Sequence, residues 1–212
     1  MKNIILNYVS GLEHLPEEAV FKTLSDMEAN NVDCVNWESY PYAPSVTFRI
    51  AYSDKALAVL FTVKEKHARG FELSDHGEVW NDSCVEVFIA DPSREGYYNF
   101  EVNCIGTRLA AKRKSKTDFE LFDNERMAQF KTFGSLAHEH TDKDEAEWWM
   151  AEIIPFSLLG LSEAPESLRA NFYKCGDMCR EPHFLSWSPI DRPAPEFHCP
   201  EFFGELTITK NR

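Results

Sequence analysis

The run from Tyr97 to Ile105 carries side chains whose types and spacing could do chemistry. Alternate residues of a strand point to opposite faces. One face holds Tyr98, Phe100, Val102 and Cys104, and the other holds Tyr97, Asn99, Glu101 and Asn103. The first set is a core face and the second is a row of hydrogen-bonding groups. In the preceding run, Cys84 to Ala90, the residues Val85, Val87 and Ile89 form the apolar set and leave Glu86 opposite. A hairpin across Asp91 to Gly96 would bring Glu86 beside Glu101 and Asn103. Arg49, pointing away from Phe48 and Ile50, could join them.

Two tryptophans flank this polar face in the sequence. Trp80 lies in Val79-Trp80-Asn81-Asp82-Ser83, a loop segment, and Trp187 in Ser186-Trp187-Ser188-Pro189. Flat rings can cover the C–H faces of a pyranose. Carboxylates, amides and a guanidinium can take its hydroxyls with directed, partly charge-assisted bonds. The chemistry suited to this set is the binding of a mono- or oligosaccharide by Trp80, Trp187, Glu86, Glu101, Asn103 and Arg49.

The elements around these residues read as β. Val46–Tyr52 alternates and Ala56–Val63 is continuously apolar, which makes a hairpin. Further strands are expected at 84–90, 97–105, 131–136, 147–154, 170–175 and 203–209, each bounded by turn residues. Helix signals are confined to Pro16–Leu24 and to one turn at Pro155–Gly160, closed by glycine. The expected fold is an all-β, antiparallel sandwich, jelly-roll or immunoglobulin-like, with one or two short helices. With no repeat or linker in view, residues 1–212 read as one domain.

Composition limits the partners. The net charge is −13, and aromatics make up 13% of the 212 residues, a share that strands favour. Nucleic acid and anionic membranes call for a basic footprint. The one basic run, Arg108 to Lys116, reads as the solvated end of a strand and its loop. The N-terminus has no signal-peptide core. As written the chain reads as cytoplasmic, and removal of a leader would make it secreted or periplasmic. Cys175, Cys179, His183 and His198 permit a zinc reading, but their spacing is not that of a tight ligand pair. Free buried thiols are the plainer expectation. Of Trp148 and Trp149, which face opposite ways in a strand, one is expected in the core.

The segments Trp80-Asn81-Asp82-Ser83-Cys84-Val85-Glu86-Val87-Phe88-Ile89 and Tyr97 to Gly106 resemble the family 9 carbohydrate-binding modules. The resemblance continues through Trp149–Phe156, Arg169–Phe172, Phe184–Ser188 and Phe202–Leu206, and so covers most of the chain from about Asn36 onward. It implies a sandwich that clamps a terminal sugar between two tryptophans, matched here by Trp80 and Trp187, with Glu86 and Asn103 as polar contacts. It also leaves room for structural calcium, although no loop has the regular oxygen spacing of a calcium site. Cys84 and Glu101 depart from the commoner family run, which implies a different hydroxyl pattern. The resemblance places the module in carbohydrate catabolism, where such domains accompany O-glycosyl hydrolases.

Two other readings compete with a non-catalytic binder. Glu86 and Glu101 could be a glycosidase pair on neighbouring strands. Alternatively the frame could serve protein interaction, its sugar site lost.

Overall fold

The computed structural model describes residues 2–93 and 95–209, so the expected domain of 1–212 includes a few positions outside the described residues. The strands are β1 (Asn3–Tyr8), β2 (Asn30–Asn31), β3 (Cys34–Val35), β4 (Ser45–Tyr52), β5 (Ala56–Gly70), β6 (Cys84–Ala90) and β7 (Tyr97–Asn103). They continue as β8 (Arg108–Arg113), β9 (Phe119–Leu121), β10 (Lys131–Gly134), β11 (Thr141–Pro155), β12 (Ser167–Cys175), β13 (Phe184–Ser186) and β14 (Gly204–Ile208). Two α-helices, α1 (Glu17–Ser25) and α2 (Asn124–Gln129), lie among the described residues. Asp123 caps α2 by accepting from the backbone N–H of Arg126 at 2.9 Å.

The architecture is a β-sandwich. One sheet runs β10-β11-β5-β4 and the other β14-β12-β6-β7-β8-β9. β1 bridges them: Asn3 to Leu6 pair with β14, then Asn7 and Tyr8 pair with β4, both in parallel. The other pairings are antiparallel. The apolar faces meet between the sheets, where Phe48 of β4 stacks on Phe172 of β12 at 3.9 Å between ring centroids. The expected split of β6 and β7 holds, for Val85, Val87, Ile89, Tyr98, Phe100 and Val102 all enter this core. On the far side of the first sheet, Val20 and Leu24 of α1 cover Ala58, Leu60, Ala151 and Ile153.

β5 and β11 run to fifteen residues each, well past their apolar stretches. Their extensions are charged and pair across the ladder, as in Lys64–Glu147 at 2.5 Å and His67–Asp142. Charged alternation on both strands gives no hydrophobic period, so these extensions leave little signal in the sequence. The two adjacent tryptophans divide as expected. Trp148 is buried, and Trp149 lies on the other face against Phe21.

Two buried charges shape this core. Lys174 of β12 points between the sheets, pairing with Glu65 of β5 at 3.1 Å and donating to His183 Nε2 at 2.6 Å and to the Cys175 carbonyl at 2.8 Å. His183 Nδ1 lies 2.8 Å from the Glu181 carbonyl, so it carries the proton and leaves Nε2 as the acceptor. Trp148 Nε1 donates to the other Glu65 oxygen at 2.6 Å. Burial pulls the Lys174 ammonium down, but Glu65 together with the neighbouring Cys179 and Cys175 sulfurs outweighs it and the net shift is upward. Burial and the Lys174 charge hold His183 well below its usual value. Lys174→Met should destabilise the fold by about 3–5 kcal/mol, the cost of leaving one charge of a buried pair alone. Lys174→Met with Glu65→Gln should recover most of it in denaturant melts, because Gln still accepts from Trp148.

Glu152 of β11 also faces inward, between Met150 and Ile154, and neither carboxyl oxygen has a hydrogen-bond partner among the described residues. Burial alone raises its pKa well above 4.5. A raised carboxyl costs nothing extra below the unfolded value and progressively more as pH climbs above it. Glu152→Met should therefore stabilise the protein by about 1–3 kcal/mol at pH 4.5. The gain should widen between pH 5 and 8, as followed by thermal melts across that range.

Candidate functional site

β6, β7 and β12 are buried on both faces from Cys84 to Ile89, Tyr97 to Asn103 and Ala170 to Cys175. The outer face of this sheet is therefore not a solvated surface. The chain from Asp177 to Phe203 folds over it, with Tyr173 stacked on Phe197 at 4.2 Å and Phe88 against Tyr97 and His198. Between this cover and the strands lies a cavity of about 330 Å³. Glu86, Glu101 and Cys175 belong to its floor, Trp80, Phe184 and Phe197 to its walls, and Phe119 of β9 also lines it, with 47% of its surface exposed.

Glu86 and Glu101 are directly opposed across the β6–β7 ladder. Cys175 donates to Glu86 Oε1 at 3.0 Å, and Asn99 Nδ2 donates to Glu101 Oε1 at 2.7 Å. Arg113 Nε donates to Asn99 Oδ1 at 2.8 Å, completing a relay from guanidinium to carboxyl. The Arg113 guanidinium lies 4.3 Å from the Phe119 ring centroid and also donates to the Lys116 carbonyl. The expectation that the basic run is a solvated strand end is thus corrected at Arg113. Its side chain shares a face with Tyr97, its partner in β7, and is buried. Its guanidinium is needed there because two carboxyls are buried beside it.

Burial raises Glu86 well above 4.5, with Glu101 adding to the rise, while the Cys175 thiol and Arg113 act against it. Burial also lifts Glu101 to about 7, held back by Asn99 and Arg113. Asp177, on the same cavity, is lifted by burial to about 6. His198 is pushed down to about 4 by burial and by Arg113, so near neutral pH it is uncharged, and its Nδ1 lies 2.9 Å from the Tyr97 hydroxyl. The floor can therefore offer both carboxyl O–H donors and carboxylate acceptors to a polyhydroxylated guest.

Of the residues singled out in the sequence, Trp80, Glu86 and Glu101 meet at the cavity. Trp80 is held there by the Val79–Asn81 turn, whose carbonyls at Trp80 and Asn81 accept from Asp177 N at 3.1 Å and Met178 N at 3.0 Å. The other three lie elsewhere, which corrects the two-tryptophan clamp. Trp187 is 3% exposed and sits in the inter-sheet core, edge-on to Phe48 and Phe172. Its ring also presses on Gly204, where a Cβ would collide with it. Arg49 is on the other sheet, donating to Met27 O at 3.3 Å, because β4 pairs with β5 and never meets β7. Asn103 is buried below the cavity and spends its amide on Glu72 O, Asp82 and Thr107 N.

Asp82 explains the rest of the Trp-Asn-Asp-Ser segment. Its Oδ2 accepts from Phe71 N, Glu72 N and Asn103 Nδ2, each at 2.9 Å, and its Oδ1 pairs with Arg69. With both oxygens committed to protein donors, this carboxylate fits a loop clasp and not a calcium ligand. Among the described residues, the group of three or more His, Cys, Asp or Glu side chains whose ligand atoms converge is Cys84, Glu86 and Cys175. Two sulfurs do not suit calcium, which takes oxygen ligands. The Cys175, Cys179, His183 and His198 set does not converge either. His183 is used by Lys174 and Glu181, whereas His198 stands over Phe88 and Tyr97. All six cysteines are free thiols.

The profile of carbohydrate-binding family 9 matches residues 18–208. The chain belongs to that family. A solved structure from Bacteroides uniformis ATCC 8492, of a protein to which carbohydrate binding is attributed, is 36% identical over 98% of this chain and 99% of that one, with a TM-score of 0.93. A family 9 module from Caldicellulosiruptor kristjanssonii in complex with glucose shares the fold at a TM-score of 0.68 and 15% identity, covering 100% of this chain and 97% of its own. The cellotriose complex from the same organism gives 0.67 and 16%, with 100% and 95% covered. A fungal protein of Arthroderma benhamiae, described as extracellular, is 24% identical over 78% of this chain and 79% of its own length. No helix among the described residues is long and apolar enough to cross a membrane.

The folded value of Glu101, about 7, lies above the ordinary 4.5, so it adds no ionisation penalty below pH 4.5. The cost grows up to pH 7 and then levels off, at ~3 kcal/mol from the size of the shift. Glu101→Gln should raise the melting temperature at pH 8 and leave it almost unchanged at pH 4. An equal effect at both would show that Glu101 does not ionise as its surroundings dictate.

Proposed function

We propose that this family 9 domain is a non-catalytic carbohydrate-binding module that receives one end of a sugar chain in the cavity over β6, β7 and β12. The observation that carries the reading is the pairing of Glu86 with Glu101 on a rigid strand floor, next to the guanidinium of Arg113 and between aromatic walls from Trp80, Phe184 and Phe197. Aromatic faces supply broad apolar contact to the ring of a sugar. Carboxyl groups with raised pKa and a guanidinium can exchange hydrogen bonds with several hydroxyls at once. The volume of about 330 Å³ lies at the lower end of small-ligand pockets and suits a terminal unit better than a long chain segment. Glucose and cello-oligosaccharides are the first ligands to test, because family 9 modules of the same fold have been seen with glucose and with cellotriose.

The same two carboxyls support a second reading, slow O-glycosyl hydrolysis, since Glu86 and Glu101 are opposed on adjacent strands and a glycosidase needs two carboxyls facing one substrate. Binding and cutting separate in one experiment. Calorimetric titration with glucose, cellobiose, cellotriose, xylobiose and galactose should show one site in the wild type. Trp80→Ala and Arg113→Met should each weaken it at least tenfold, with the fold intact by circular dichroism. Trp187→Phe should leave affinity within about twofold, because Trp187 is in the core. Intact sugar after prolonged incubation supports a binder. Released reducing ends that vanish in Glu86→Gln would establish hydrolysis, and no heat with any of these sugars would defeat the assignment to this cavity.

A further inference from the structure

The cavity floor holds a second set of donors, two thiols that sugar binding does not use together with Glu86, which it shares with the proposed sugar site. Cys84 and Cys175 are directly opposed across the β6–β12 ladder, and Glu86 follows two residues after Cys84 on the same face. The two sulfurs and a Glu86 oxygen all lie within 4.8 Å of one another, and all three residues are buried. The Glu86–Cys175 contact is already 3.0 Å. Tetrahedral zinc with bonds of about 2.3 Å to sulfur needs its sulfurs about 3.8 Å apart. Small side-chain rotations would meet that requirement. The lining also holds more acidic than basic side chains. Four acids, Glu86, Glu101, Asp177 and Glu196, line the cavity against two bases, Arg113 and Lys116. Lys116 is paired with Glu196 at 2.9 Å, and Arg113 is turned to Asn99 and the Lys116 carbonyl, so neither base is hydrogen-bonded to Glu86 or the thiols.

The geometry points to a site for a soft divalent metal of the zinc class, held by Cys84 Sγ, Cys175 Sγ and the Glu86 carboxylate, with its remaining position open to the cavity. Two thiolates select against calcium and magnesium and suit zinc or cobalt. Three protein ligands and an open position are also the layout in which zinc accepts an exogenous oxygen ligand. Loading follows Zn²⁺ + 2 R–SH + R′–COO⁻ → [Zn(S–R)₂(OOC–R′)]⁻ + 2 H⁺. The two thiol protons go to solvent, so no oxidant is consumed. Glu86 and Cys175 themselves line the cavity, which is the entry path. The fourth position would then be open to a hydroxyl or carboxylate of a guest in the cavity.

The test uses the full chain, reduced and freed of metal under anaerobic conditions, titrated with cobalt(II) chloride and then with zinc chloride. One equivalent of cobalt should produce thiolate-to-cobalt charge transfer in the near ultraviolet and the strong visible bands of a tetrahedral site, both abolished as zinc displaces it. Cys84→Ala and Cys175→Ala, checked for folding by circular dichroism, should weaken cobalt by at least the roughly 10–100-fold that loss of an outer-shell partner costs. Glu86→Gln should keep the sulfur charge-transfer band and weaken binding about tenfold. Cys34→Ala, whose thiol meets the Trp187 carbonyl elsewhere in the fold, should behave as the wild type. Absence of the band in folded protein with six titratable thiols would overturn the site, as would a band that survives in both Cys84→Ala and Cys175→Ala. No sugar enters these measurements, so their failure and that of the glycan titration are separate results.

Discussion

Everything about the site follows from one constraint: β6, β7 and β12 are buried on both faces. Alternation sends Val85, Val87, Phe100 and Phe172 into the inter-sheet core, so their neighbours must face the other way. In an ordinary sandwich those neighbours would meet water. Here the segment after β12 folds back over them, and Tyr97, Phe88 and Tyr173 form a second apolar cluster with Phe197 and Phe203. Glu86, Asn99 and Glu101 are drawn into the same covered layer. They must either find partners or keep their protons, and they do both.

The electrostatic character of the cavity is a consequence. A carboxyl removed from water holds its proton unless a cation compensates. Arg113 compensates in part, acting through Asn99 on Glu101, while Glu86 has the Cys175 thiol as its donor. The same physics gives the opposite result between the sheets. There Lys174 faces Glu65 directly and stays charged, and burial, with that ammonium beside it, lowers the proton affinity of His183. Glu152 shows the limit of the rule, a core carboxyl with neither cation nor donor.

The Trp-Asn-Asp-Ser segment combines a cavity-lining ring with the scaffold that holds it. Trp80 reaches the cavity, while Asp82 and Ser83, two and three residues later, clasp the chain at Arg69 to Glu72. The clasp fixes the short turn that carries the indole, and the backbone of Asp177 and Met178 locks it from the other side. The side chain of Asn81 turns to Glu78 at 2.7 Å. One residue of this motif reaches the cavity, and its neighbours hold it in place.

The positions of β4 to β7, β10 to β12 and β14, the two faces of β6 and β7, and the placement of Glu86 beside Glu101 were legible in the sequence because period-two alternation is a local property and a short turn joins that pair, whereas β1, β2, β3, β9 and β13 gave no such signal. Trp80 was legible for a related reason, standing immediately before the strand it serves. Trp187 and Arg49 were not, because their surroundings come from distant chain. Trp187 meets Phe48, Phe172 and Gly204, and Arg49 lies on a sheet that never pairs with β7. Arg113 looked like one charge in a solvated run until the β7–β8 register set it beside Tyr97 on the covered face. The meeting of Cys84 with Cys175 likewise depends on the β6–β12 register, across about ninety residues of chain. Local chemistry thus determined most of the longer strands and which of their side chains share a face. Only the tertiary structure decided which face was covered and which distant groups met there, because long-range register and loop packing are set by the whole core at once.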